Sequence, residues 1–123
     1  MRWDAIPRRS QEVLQDIAFR IRSRIDEIRS GNLIAVIEGA GETSSRGARA
    51  RFSLWRDDGE LMHKIDGTGC REWASSSVSA LVRFGIFEPL EVHDGEFRFV
   101  ALSLLGLATI EAAVAAENIY VLG

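Results

Sequence analysis

The residues able to support catalysis or metal binding are few and scattered along this chain. It contains one cysteine, Cys70, and two histidines, His63 and His93. Their spacing matches no zinc-ligand pattern, and they cannot be combined into a nucleophile, a histidine base and an orienting acid. Both histidines are expected to be structural or surface residues. We therefore expect neither an enzyme nor a site for a metal or another cofactor.

Arginine is the residue type with the most to offer a ligand. Fourteen of the fifteen basic residues are arginine, whose planar fork of donors suits phosphate and guanine. Alternation along a strand would place Arg49 and Arg51 on one face, facing a nucleic-acid backbone. The competing interpretation is an exposed strand edge on which charge prevents aggregation. The predicted basic cluster, which surrounds Trp55, consists of Arg46, Arg49, Arg51 and Arg56.

The N-terminal part of the chain is predicted to form one long helix over Ser10–Arg29. Apolar residues recur there at spacings of three and four, as on one face of a helix. This stripe is expected to face the core or, alternatively, to form a seam with a second copy or another partner. Its members are Leu14, Ile17, Ile21, Ile25 and Ile28.

The middle of the chain is predicted to be β-structure. Leu33–Ile37 is a short, fully apolar run of the kind found in buried strands. Residues 49–65 read as a hairpin, because two alternating runs flank the turn-forming sequence Asp57-Asp58-Gly59. The alternative is a short helix over residues 60–66.

The C-terminal half is predicted to alternate between helices and a hairpin. Arg71–Phe84 reads as a helix, and Gly85 supplies its stop. Leu102–Ala116 is so rich in leucine and alanine that we expect this helix to be largely buried. The remaining predicted pieces are strands at 86–92 and 96–100 around Asp94-Gly95, and a strand-like tail at 118–122.

The segment SSSVSALVRFGIFEPLEVHDGEFRFVALSLLGLATIEA, within about Cys70 to Glu117, resembles the winged helix-turn-helix family. The matching features are the helix end from Val78 to Ile86, the hairpin with its Asp94-Gly95 tip, and the helix from Leu102 onward. The resemblance implies a recognition helix, a wing and double-stranded DNA as the partner. The serines have a competing interpretation, since they can also cap the helix and pack against a neighbour. The contacts implied beyond the basic cluster are Arg71, Ser75, Ser76, Ser79, Arg83, His93 and Arg98.

The predicted wing departs from the family's basic pattern. It carries Glu91, Asp94 and Glu96, and carboxylates there would repel phosphates. This supports an alternative function, a protein-interaction module that docks its acidic wing on a basic protein. A phage- or mobile-element-encoded inhibitor of a host protein would fit that pattern.

The composition fits one domain over residues 1–123, with the winged-helix-like unit at 70–117. The length and the 46% of hydrophobic residues suffice for a core, and the net charge of −3 excludes a strongly basic polyanion binder. We predict an α+β fold with a long N-terminal helix, a small antiparallel sheet and the winged-helix-like unit. The N-terminus lacks the features of a signal peptide, so we expect a cytoplasmic protein without a membrane segment. The leading expectation is a small DNA-binding transcription regulator, with the first or the last helix as the candidate contact of a homodimer.

Overall fold

The computed structural model describes residues 2–39, 49–57, 62–66, 72–90 and 99–121, which form a mixed α+β fold. A 3₁₀ turn at Trp3–Ala5 precedes the first helix. The helices are α1 (Arg8–Ile21), α2 (Ile25–Ser30), α3 (Ser75–Arg83) and α4 (Leu104–Ala115). The strands are β1 (Leu33–Glu38), β2 (Arg49–Asp57), β3 (Met62–Asp66), β4 (Glu72–Ala74), β5 (Phe87–Pro89) and β6 (Phe99–Leu102).

All the described strands belong to one antiparallel sheet with the order β3-β2-β1-β6-β5. The short β4 pairs with the first residues of β2, so that Ala50 lies opposite Trp73. At the centre of the sheet, Val36 of β1 lies opposite both Ser53 of β2 and Ala101 of β6. The sheet therefore joins residues from both halves of the chain into a single unit.

The helices cover one face of this sheet, and the core lies between the two layers. Strand alternation directs Leu33, Ala35 and Ile37 toward the helices, where they share one buried cluster with Leu14 and Leu81. The predicted apolar stripe of the first helix joins this cluster, and Leu14, Ile17 and Ile21 are fully buried. A homodimer seam made from this stripe would require the core to open, so any dimer must use another surface.

The predicted long helix over Ser10–Arg29 is wrong in one respect, because it is two helices. Arg24 leaves helical geometry with φ −129° and ψ 15°, and α2 starts at the next residue. The break redirects α2, so that Ile28 reaches the core beside β1. Hydrophobic spacing alone does not reveal this break, since the stripe continues through it.

The first predicted hairpin is confirmed by β2 and β3. Trp55 lies opposite Lys64, and Arg56 lies opposite His63. The alternative helix over residues 60–66 is therefore wrong for residues 62–66, which form a strand. The Asp58-Gly59 turn itself lies outside the described residues.

The predicted helix over Arg71–Phe84 is shorter than expected. Glu72–Ala74 is a strand that pairs with β2, so α3 begins only at Ser75. Gly85 ends α3 as predicted: its φ is +76°, and the amide of Ile86 donates to the carbonyl of Leu81. A left-handed residue at this position suits glycine, which has no Cβ to clash.

The order helix, hairpin, helix expected after residue 74 is present as α3, β5, β6 and α4. A helix-turn-helix also needs a helix just before the recognition helix. The described residues before α3, at 62–66 and 72–74, form strands instead. The family resemblance therefore concerns only the part of the unit that starts with α3, and membership of the family stays a prediction.

The expectation that the last helix is largely buried is wrong. Leu107, Ile110 and Ala113 are buried, but Leu104 and Leu105 are exposed to 72% and 51%. The helix packs on the molecule along one side only, and its apolar character continues around the other side. Residues 118–121 of the tail do not form the predicted strand, because Glu117 turns left-handed with φ +61° and the amide of Ile119 donates back to the carbonyl of Ala113. Leu122 lies outside the described residues.

Candidate interaction surfaces

Several residues predicted to contact a ligand fall outside the described part of the chain. The predicted DNA contacts of this group are Arg46, Arg71, His93 and Arg98. The predicted contacts to a basic protein, Glu91, Asp94 and Glu96, also lie there. The strands that would carry the wing are present as β5 and β6, and the wing interpretation itself stays a prediction.

The serines of α3 contribute mainly to packing. Ser75 is buried and donates to the carbonyl of Gly39 at 2.9 Å, while Ser79 donates to the carbonyl of Ser75 one turn earlier. Ser76 and, at the far end of the helix, Arg83 are exposed. Because α3 lies against α1 and the sheet, it presents a narrow surface for a groove of DNA.

Two of the predicted arginines on β2 are held by carboxylates. The Arg51 guanidinium contacts Glu72 at 2.6 Å, and Arg56 lies 3.7 Å from Glu27. Both pairs are solvent-exposed, so each contributes little to stability, on the order of 0–1 kcal/mol. Arg49 is exposed and forms no ion pair with the described residues, which leaves it the best placed of the three for a ligand.

The outer face of the sheet carries aromatic residues as well as charges. Trp55 and Phe99 meet edge to face, with their ring centroids 6.2 Å apart. The Trp55 indole N–H donates to Ser53 at 2.8 Å, and Lys64 pairs with Glu38 at 3.2 Å. Both rings are half-buried, so they already pack on each other and form no open platform for stacking.

A charged cleft of about 310 Å³ lies between the start of α1, β4 and the first turn of α3. We call it the Trp73 cleft, after the indole that forms one wall. Its basic residues are Arg8, Arg9 and Arg49, which are exposed and form no ion pair with the described residues. The cleft therefore joins a predicted residue, Arg49, with two arginines that the sequence did not single out.

Carboxylates line the same cleft, but two of the three already have a partner. Glu72 accepts from Arg51, and Asp16 accepts the indole N–H of Trp73 at 2.8 Å. Glu12 is exposed and has no ion pair with the described residues. The neutral Trp73 indole leaves the negative charge of Asp16 in place, so three arginines and three carboxylates line the cleft and their formal charges balance.

A second candidate surface is the exposed side of α4. Its members are all leucine or alanine, and they follow one side of the helix at the spacings expected for a face. None of them carries a polar side chain. We call this the α4 face; it consists of Leu104, Leu105, Ala108, Ala112, Ala115 and Ala116.

An apolar groove of about 290 Å³ borders the α4 face where α4 approaches α1 and α2. Val114, Ala115 and Arg22 are among the residues that line it. The Arg22 guanidinium lies over the ring of Phe19 at 4.0 Å, in a cation–π contact. Phe19 itself is 48% exposed and is not among the residues that line the groove.

The single charged residue of α4 lies at the edge of the α4 face and is neutralised. Glu111 accepts from Arg29 at 2.6 Å, and this hydrogen bond together with the attraction of the two charges raises the pKa of Arg29 above its ordinary value. Asp26 adds a second contact to Arg29 at 3.0 Å. An arginine is charged at any physiological pH, so Glu111 keeps its charged partner throughout that range.

Within the described part of the chain, no three His, Cys, Asp or Glu side chains are close enough to hold a metal ion. Nor is any helix of that part both long and apolar enough to cross a membrane. Comparison of the chain with protein-family models, curated proteins and solved structures finds no match. The candidate surfaces are therefore defined by their physical chemistry alone.

Proposed function

We propose that this protein is a non-enzymatic interaction module that pairs with a second copy of itself through the α4 face. The exposed fractions of Leu104 and Leu105, 72% and 51%, carry the proposal. Burying one leucine stabilises a protein or a complex by roughly 1.5–3 kcal/mol. Single exposed leucines are common, but a whole helix face without a polar side chain is typical of an interaction surface.

The distribution of large and small residues supports a second copy as the partner. Leu104 and Leu105 lie at the start of α4, and Ala112, Ala115 and Ala116 lie near its end. In a two-fold symmetric pair of antiparallel helices, the start of one helix faces the end of the other. Leucines of one copy would then pack onto alanines of the other, as large and small side chains do across well-packed interfaces.

The α4 face extends over several turns of helix. α4 spans 12 residues, or about 18 Å. Val114, which is 37% exposed, adds apolar surface at the groove that borders this face.

Sedimentation equilibrium of the wild-type protein and of Leu105→Glu tests this proposal. We expect a wild-type dimer of twice the 13.6 kDa chain mass. We expect Leu105→Glu to weaken dimerisation at least about tenfold, because a buried leucine is lost and a charge enters the contact. The matched control is Ile65→Glu, which changes an apolar residue that is 41% exposed on β3. A monomeric wild type, or equal effects of the two variants, would contradict the proposal.

DNA binding is the second candidate function, and it is favoured by the exposed Arg8, Arg9 and Arg49, which form no ion pair with the described residues. Arginines on one side of a protein can contact phosphates without reading the base sequence. Binding to random duplex DNA that weakens steeply with salt would support this function. Its absence at low salt, where attraction is strongest, would exclude it.

Since Cys70 is the only cysteine, we infer a reducing compartment, the cytoplasm, for either function.

A further inference from the structure

Two grooves border α4, one at each end, and both lie on the side of the helix that faces α2. The end groove is the apolar groove of about 290 Å³ described above, which Ile25 of α2 and Ala115 of α4 both line. The start groove, of about 320 Å³, is lined by Ser30 of α2 and Leu104 of α4. Because Leu104 and Ala115 are the first and last residues of α4, roughly 16 Å of helix separates the two grooves.

Each groove carries one charged residue that forms no ion pair with the described residues. At the end groove this residue is Arg22, which is exposed and contacts only the carbonyl and the ring of Phe19, three residues earlier. At the start groove it is Glu88, which is also exposed. The other charged lining residues, Glu111 and Arg29, pair with each other. The formal charges of the two grooves therefore balance, and the grooves differ in the sign of the residue that lacks such a pair.

An antiparallel pair of α4 helices with two-fold symmetry would make these charges complementary. The symmetry axis of such a pair is perpendicular to both helices, so the α2 side of one copy adjoins the α2 side of the other. The start groove of each copy then lies at the end groove of the other, where Arg22 meets Glu88. A parallel pair would instead bring Arg22 to Arg22, and like charges across an interface oppose that arrangement.

Leu104 provides the apolar part of the same contact. Its side chain is 72% exposed at the start of α4, so the chain itself leaves most of this leucine uncovered. In the antiparallel pair it reaches the end groove of the other copy, where burial removes apolar surface from water. Apart from Arg22 and Glu111, the end groove is lined only by apolar residues: Ala18, Ile25, Ile110, Val114, Ala115 and Val121.

We propose that the end groove binds Leu104 of the second copy, and that Arg22 pairs there with Glu88 of that copy. This inference rests on the proposed dimerisation through the α4 face. It assigns the dimer its orientation and names the residues that each copy contributes to the other. Exposed ion pairs add little affinity, so the two Arg22–Glu88 pairs act mainly by selecting the antiparallel orientation.

Charge reversal on separate chains tests the ion pairs. Arg22→Glu and Glu88→Arg should each dimerise about tenfold more weakly than the wild type, because two attractions become two repulsions. In an equimolar mixture of the two variants, the mixed dimer again has opposite charges at both contacts. Sedimentation equilibrium of this mixture should therefore recover the wild-type affinity.

The matched control for charge reversal is Arg2→Glu. Arg2 is exposed and precedes α1, whereas Arg22 follows this helix, and both reversals change the net charge equally. Arg2→Glu should leave the affinity unchanged. If the dimer persists but Arg22→Glu behaves like this control, or if the mixture stays as weak as either variant alone, the ion pairs are overturned and dimerisation still stands. A monomeric wild type would contradict the dimer itself and the inference with it.

A double-mutant cycle tests the place of Leu104 in the end groove. Within one chain Leu104 and Val121 lie at different grooves, so their effects on dimerisation can couple only through contact between copies. We expect Leu104→Ala to weaken the dimer about tenfold. Adding Val121→Ala to it should weaken the dimer less than Val121→Ala does in the wild type. Ile65→Ala, on β3, serves as the uncoupled control. Additive effects of Leu104→Ala and Val121→Ala would overturn this placement.

Discussion

At the junction between β6 and α4, one hydroxyl serves three backbone groups. Ser103 Oγ accepts the amide of Gly106 at 2.9 Å and lies 2.6 Å and 3.0 Å from the carbonyls of Gly85 and Ile86 as their donor. It thereby caps α4 and joins it to the residues that follow α3. The junction sets the position of α4, and with it the orientation of the α4 face.

Gly106 is the residue on which this junction depends most. A Cβ at this position would clash with the carbonyl oxygen of Ile86 and would lie 2.8 Å from Leu102 Cδ1. We expect Gly106→Ala to lower the free energy of unfolding by about 1–3 kcal/mol, the usual cost of overpacking, even though alanine favours a helix. Urea denaturation measures the change, with Asn118→Ala as a control at an exposed residue just after the same helix. Equal stabilities of the wild type and Gly106→Ala would contradict the close packing of α4 against the backbone of Ile86.

The two glycines that end α3 and begin α4 differ in how well the sequence predicts them. Gly85 follows a helical pattern directly, and that local arrangement is sufficient to predict its left-handed φ. Gly106 lies inside a helical pattern, where glycine has no local function. Its function is steric and depends on Ile86, twenty residues earlier in the chain, so no local pattern can predict it.

At the scale of elements, α1 and α3 are joined by a buried polar contact. Ser10 is 1% exposed and donates to the carbonyl of Ser77 at 2.7 Å, across 67 positions of sequence. Trp73 adds a second link between the same regions through its bond to Asp16. These contacts fix the start of α3 against α1, which is the geometry that forms the Trp73 cleft.

Removing the Ser10 hydroxyl should loosen this contact. We expect Ser10→Ala to cost about 1–3 kcal/mol of the free energy of unfolding, because the Ser77 carbonyl would lose its buried partner. We also expect faster amide exchange at the start of α3. Thermal and chemical denaturation provide the first measurement, and Ser76→Ala, an exposed change on α3, serves as the control with an effect within about 0.5 kcal/mol. If Ser10→Ala behaved like this control, the hydrogen bond would not contribute to the contact.

Elements were predictable where the signal was local. The β2–β3 hairpin follows from alternation around an Asp-Gly turn, and the buried β1 follows from an apolar run. The break at Arg24 and the β4 strand at Glu72–Ala74 were not predictable, because each depends on a distant partner: Ile28 packs beside β1, and β4 pairs with β2. The burial of α4 was predicted wrongly for a related reason, since composition does not reveal how many sides of a helix the chain can cover.

At the scale of the whole molecule, two candidate interaction surfaces lie outside the core, one lined by charged side chains and the other by apolar ones. The Trp73 cleft lies at the starts of α1 and α3 and is lined by charged side chains of both signs, while the α4 face is apolar. Arg49 was predicted from the sequence as a ligand contact, whereas Arg8 and Arg9 were not part of the predicted basic cluster. The position of Arg8 and Arg9 could have drawn attention to them, because two arginines at the start of a helix oppose its dipole. The sequence alone does not show that β2 and α1 bring these three arginines to one cleft.

The same limit applies to the α4 face, which is the basis of the proposed dimer. The sequence offered the first and the last helix as alternatives for a dimer contact. The apolar stripe of the first helix is buried in the core, and the apolar residues of α4 are exposed. Only the packing of the whole chain shows that the apolar stripe of the first helix is buried in the core and that the apolar face of α4 stays exposed.

The most direct test of this account is an isotope-filtered NOE experiment on an equimolar mixture of labelled and unlabelled protein. Such a spectrum reports only contacts between different copies of the chain. An antiparallel pairing of α4 with its symmetry mate predicts intermolecular NOEs between the methyl groups of Leu105 and Ala115, and between those of Ala108 and Ala112. Intermolecular NOEs confined to another surface, such as Trp55 and Phe99 on the sheet, would contradict the account. The absence of any intermolecular NOE at millimolar protein concentration would contradict it as well.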